Sequence, residues 1–169
     1  MAKTLEELTN ETVKEGGVFS VLYFDMHAQD REQLKQLATD FATRITKEYG
    51  VLYAQAEIEE PLEFEGAFST NAEVHVLTRT FSALMNLAVR YGPLGVEILR
   101  PDNHLKLTLG EAHDMLLTAA QTSLEFSKYV LNHIANEEQK ADFEKDLKRR
   151  AEAGKRLMEK RQGKTEKEG

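Results

Sequence analysis

Cysteine and tryptophan are absent from this 169-residue chain, and proline occurs only three times. Without cysteine there is no disulfide scaffold, no cysteine-ligated zinc site, no iron–sulfur cluster and no thiol nucleophile. Long apolar runs are missing too. The opening MAKTLEELTNETVKEGG has no signal-peptide core, and nothing later approaches the roughly 18 consecutive apolar residues of a spanning helix. The expectation is a cytoplasmic protein with no membrane partner. Neither G-x-S-x-G nor G-x-x-x-x-G-K-[ST] occurs, which removes the nucleophile elbow and the phosphate loop. Gly92-Pro93-Leu94-Gly95 follows a helical pattern where a phosphate cradle would precede one, so it reads as a cap and turn.

What is present suffices for a core. Apolar residues make up 41% and aromatics 8%, enough for one domain with an appendage. The net charge of −7 argues against DNA or generic nucleic-acid binding by the whole molecule. The charge is unevenly divided, however. Residues 1–136 hold 11 Lys+Arg against 20 Asp+Glu, whereas residues 137–169 hold 11 against 9. The tail concentrates Lys148, Arg149, Arg150, Lys155, Arg156, Lys160 and Arg161, a local basic helix on an acidic body.

Residues 1–16 open with Thr4 and Glu7 at capping-box spacing, which predicts a short helix. The stretch GVFSVLYFDM alternates Val18, Ser20, Leu22, Phe24 with Phe19, Val21, Tyr23, Asp25. Both sets are mainly apolar, as in a strand covered on both faces. Asp30 caps a helix carrying Leu34, Leu37, Ala38, Phe41, Ala42 and Ile45. A strand then alternates Leu52, Ala54, Ala56 and Ile58 with Tyr53, Gln55, Glu57 and Glu59, and Pro61 with Gly66 marks a turn.

Residues 67–92 fit either a strand followed by a helix or one continuous helix. The β-branched run to Thr78, and Thr80 as a cap ahead of Phe81, favour the first. Gly95 to Arg100 is another strand, and Leu105-Lys106-Leu107 is expected to return as its hairpin partner. Thr108 and Glu111 open a long helix to about Ile134, its apolar positions too broad for one contact surface. The final helix has only a thin apolar stripe, and its end, GKTEKEG, is expected to be disordered. The domain reading is therefore a short helix at 1–16, an α/β domain at 17–108, a long amphipathic helix at 109–135 packed on the domain or a partner, and a charged helical tail at 136–169.

The element order over residues 17–100 resembles the split βαβ arrangement of a ferredoxin-like plait. That implies an α+β fold of about four antiparallel strands with two helices on one face. The fold hosts too many activities to name one. Its helix-free face holds Phe19, Val21, Tyr23, Tyr53 and Leu99, with Glu57 and Glu59 at one end. Three or four such side chains left wet would forgo several kcal/mol, at about 1.5–3 kcal/mol each. Either the helix at 109–134 or a second copy is expected to cover them. The interface set is thus Phe19, Val21, Tyr23, Tyr53 and Leu99 on the sheet with Leu116, Leu124 and Leu131 on the long helix.

These surfaces point to a non-catalytic interaction or regulatory module acting as a homodimer, without a cofactor. Two other functions compete. An open plait face with aromatics is similar to that of RNA-recognition domains, but Glu63, Glu65 and Glu73 flank its third strand and would repel phosphate. The basic segment Lys148–Arg161 is the better site for RNA or the ribosome, although a solvated helix face with i,i+4 pairs is the plainer explanation of its charges. Finally, Asp25, His27 and Asp30 could hold a divalent metal for a small enzyme. The bland reading of that trio is a strand-end turn former, a loop histidine and a helix cap.

Overall fold

The computed structural model describes residues 3–64, 66–133 and 136–165. Its contacts divide the chain into two compact units, residues 1–119 and 120–169.

The first unit starts with α1 (Leu5–Lys14), closed by the expected Thr4–Glu7 capping box. It continues through β1 (Val18–Ala28), α2 (Arg31–Thr46), β2 (Val51–Ile58), β3 (Leu62–Phe64), β4 (Ala67–Thr78), α3 (Phe81–Tyr91) and β5 (Gly95–Arg100). Asp30 accepts from the Gln33 N–H and Thr80 from the Ala83 N–H, so each helix starts at the cap its sequence offers. Gly92 ends α3 in the left-handed region at φ 57°, where a side chain would be strained.

The sheet order is β2-β4-β1-β5, with β3 also paired to β4, and every pairing is antiparallel. β1 and β2 therefore run parallel with β4 between them, and β4 and β5 run parallel with β1 between them. That is the split βαβ topology, an α+β plait in an open five-stranded sheet. The fifth strand is the addition to the expected four. β4 outruns β2, and β3 takes up the surplus length by pairing Leu62 with Ser69 and Phe64 with Ala67.

Register separates the two faces. Ser20, Leu22 and Phe24 lie opposite Val76, Val74 and Ala72, and this set packs against Ile45 of α2 and Leu84 and Leu87 of α3. Both helices thus cover one face, as the pattern predicts. Phe41 meets Phe24 and Tyr91 edge-on, with ring centroids 4.6 and 5.4 Å away.

Just past α2, half-buried Glu48 accepts hydrogen bonds from the Tyr91 hydroxyl and the Arg90 guanidinium, which join it to the end of α3. Those bonds hold the Glu48 carboxyl below its ordinary range, while burial and then the Glu48 bond push the Tyr91 phenol up. A carboxyl depressed on folding adds stability above its unfolded pKa and loses it as pH falls through the folded one. Tyr91→Phe should cost about 1–2 kcal/mol at neutral pH. Urea titrations should show that deficit shrinking as the pH is lowered through the acid range; a deficit unchanged by pH would contradict the assignment.

One expectation gives way. Leu105-Lys106-Leu107 forms no strand; the chain leaves the sheet after β5, and the Lys106 carbonyl lies close to Gly16. The last helix runs to Thr165. The remaining 166–169 lie outside the described residues.

The long helix α4 (Leu109–His133) opens with the Thr108–Glu111 box and crosses from the first unit into the second. The final helix, α5 (Glu137–Thr165), belongs wholly to the second unit.

Candidate interaction surface

The second face of the sheet carries the odd-numbered residues of β1. Val21 is only 3% exposed, while Phe19, Tyr23, Tyr53 and Leu99 are half-buried. Leu99 sits at a register shift between β1 and β5. The Tyr23 hydroxyl donates to Glu97 at 2.9 Å, and that bond raises the phenol's pKa. Toward the far end the face turns acidic, with Glu57 directly opposite Glu73 on the neighbouring strand.

Part of the cover comes from an element outside the two candidates the sequence suggested. Helix α1 faces Phe19 across a pocket of about 430 Å³, lined also by Leu5, Thr9, Asn10 and Arg100. Thr9 and Thr12 of α1 are buried. Only three residues, Glu15 to Gly17, separate this capped helix from β1, a closeness the sequence shows, though not where on the sheet the helix comes to lie.

Asp25 and His27, two apart on a strand, share a face as alternation requires, and the His27 Nε2 lies 3.0 Å from Asp25 Oδ2. Asp30 does not join them, since its carboxylate caps α2 through the Gln33 N–H at 2.8 Å. Among the described residues no three His, Asp or Glu side chains are grouped so as to hold a metal ion. The other histidines sit apart. His75 faces the Phe19 ring at 6.2 Å, and His133 stacks on Tyr129 at 4.4 Å.

Helix α4 differs from every other helix described in full: none of its 25 residues is buried. Ala112, Met115 and Thr118 are half-covered, on one side. Leu109, Leu116 and Leu117, 89%, 74% and 50% exposed, lie on the opposite side, and Leu124 continues their stripe. Leu117, Leu124 and Leu131 recur at seven-residue spacing along it. Of the expected interface set, then, Leu116 and Leu124 are open and Leu131 is half-covered, while the sheet residues are at least half-buried.

Within the second unit, the end of α4 and the first half of α5 enclose a cleft of about 690 Å³. Val130, Leu131 and Phe143 give it apolar walls, and Asp142, Lys145, Asp146 and Arg149 give it charge. Lys145 lies 3.6 Å from Asp142, and Arg149 lies 3.4 Å from Asp146. No local motif announces this cleft, because it exists only once two helices meet.

The basic segment is helical throughout, with Lys148, Arg149, Lys155 and Arg156 exposed. The side chains of Arg150, Lys160 and Arg161 lie outside the description. Among the described residues no helix is long and apolar enough to cross a membrane.

In comparison with known proteins, a protein-family model, described as the MJ0538 family, matches residues 20–150. That range runs from β1 through the plait and α4 into α5. No curated protein and no solved structure matches the chain.

Proposed function

The chain belongs to the MJ0538 family, and from that premise we propose that it is a non-catalytic protein–protein interaction or regulatory module acting as a homodimer through α4. The observation that carries this reading is a 25-residue helix with no buried residue and a stripe of exposed leucines. Each such side chain gains roughly 1.5–3 kcal/mol on full burial, so the helix is poised to dock.

A second copy suits the stripe for two reasons. Under a two-fold axis the same patch meets itself, so an apolar stripe is its own complement. The centre of α4, Met115 to Leu124, also reads MLLTAAQTSL without one charged side chain. Two copies crossing there bring no like charges together, and Ala120, on the stripe between Leu117 and Leu124, lets the backbones approach closely. The function follows from docking, without bond chemistry.

Light scattering on the full chain should give twice the 19.2 kDa of one copy. Leu116→Glu with Leu117→Glu should give a monomer whose circular dichroism and melting of the plait are unchanged, since both side chains are exposed. A wild-type monomer, or a variant that stays dimeric, overturns the reading. So does either competing outcome. Nucleic acid that travels with the protein and is released between about 50 and 200 mM salt would point to the basic end of α5. A melting temperature raised by Zn²⁺, Mn²⁺ or Mg²⁺ would point to Asp25 and His27.

A further inference from the structure

The described residues of the second unit complete no core of their own. Between residues 120 and 149 no described residue is buried, and the apolar walls of the cleft, Val130, Leu131 and Phe143, are only half-covered. A pair of helices offers each side chain a neighbour on one flank only. Stable helical assemblies of this kind add two more helices and bury the seam between the pairs.

The charges in the cleft say which helices those are. Asp142, Lys145, Asp146 and Arg149 all line it, as spacings of three, four and seven require on one helix face. The order acid, base, acid, base is self-complementary when reversed. Laid antiparallel on itself about a midpoint between Lys145 and Asp146, the segment sets Asp142 against Arg149 and Asp146 against Lys145, each twice. Laid parallel in register it sets every charge against its own kind. Like charges brought together at an interface cost several kcal/mol, so the pattern selects one orientation.

We propose that the cleft between α4 and α5 is a self-docking seat, filled by the same segment of a second copy, with α5 pairing antiparallel to α5 about a two-fold axis between Lys145 and Asp146. This rests on the homodimer reading and names a second surface for it. Along α4 the seat is continuous with the leucine stripe, because Leu131 is one heptad beyond Leu124. Burial of Val130, Leu131 and Phe143 supplies affinity, and the exposed ion pairs supply orientation and register.

Two full-length charge variants test the seat. Asp142→Lys with Asp146→Lys places four cations on each face, and Lys145→Asp with Arg149→Asp places four anions. Alone, each should dimerise about a hundredfold more weakly than the wild-type protein. Mixed in equal amounts, they should recover a dimer containing one of each by native mass spectrometry, with a dissociation constant within about tenfold of wild type. A mixture that stays monomeric, or variants that each dimerise as the wild type does, overturns the seat. The latter result leaves the leucine stripe standing, whereas a monomeric wild-type protein removes the homodimer reading itself.

Discussion

Leu22→Ala is expected to cost about 4 kcal/mol, the upper part of the usual range for a buried leucine. Leu22 is fully buried at the middle of β1, opposite Val74 on one side and Val96 on the other. Both neighbours are hydrogen-bonded to the same strand, so the sheet cannot close over the missing methyls and a cavity remains. A domain of this size has about 5–15 kcal/mol in total, and the variant should stand near the edge of folding. Urea denaturation measures the loss; a value under about 1 kcal/mol would mean that Leu22 is not at the centre of the core. Val21→Ala, one residue along on the thinly covered face, should cost distinctly less.

Gly17→Ala is the second large effect, for a different reason. A Cβ there would stand 2.6 Å from the Thr78 carbonyl oxygen and 2.9 Å from the Thr12 carbonyl oxygen, and it would collide with the Thr12 side chain. Two of those obstacles are backbone. Either β4 moves from β1 or α1 lifts off, and the Gly17 N–H bond to the Thr12 carbonyl goes with it. About 3 kcal/mol is expected, toward the top of the range for overpacking. Because α1 lies over Phe19, hydrogen exchange should rise in α1 and at the start of β1 before it rises elsewhere. Unchanged protection in α1 would mean that the helix is not held against the strand through this glycine.

The local signals were readable wherever one element supplied them. Thr4, Asp30, Thr80 and Thr108 each stand at the start of a helix, because a side-chain oxygen three residues ahead of an orphan N–H needs no help from the rest of the fold. The two apolar sets of β1 announced a strand with both faces occupied. In residues 67–92 the choice between strand and continuous helix fell to the strand, since Val74 and Val76 are stiff at χ1 and pack on a pleated face.

The misses share a cause. Three residues, Leu62 to Phe64, carry no periodicity, and β3 exists only because β4 extends past β2. Leu105 to Leu107 alternate as a strand would, yet find no partner beyond the turn at Pro101–Asn103. Of the candidate site residues, Asp25 and His27 could be paired on strand geometry alone, while Asp30 was legible twice over, as a ligand and as a cap, and the cap prevailed. The charges of the seat on α5 are visible as a list of residues, but their common cleft is not.

By itself, then, the sequence determined the α+β class, the helix starts, the even and odd faces of β1 and the charge division between body and tail. Each of these depends on spacing within one element, where backbone geometry alone says which side chains share a face. Only the tertiary structure decided that α1 lies over Phe19, that α4 is left without a buried residue and that a charged cleft opens between α4 and α5. These depend on which elements come to lie beside each other, and that is set by the packing of the whole chain.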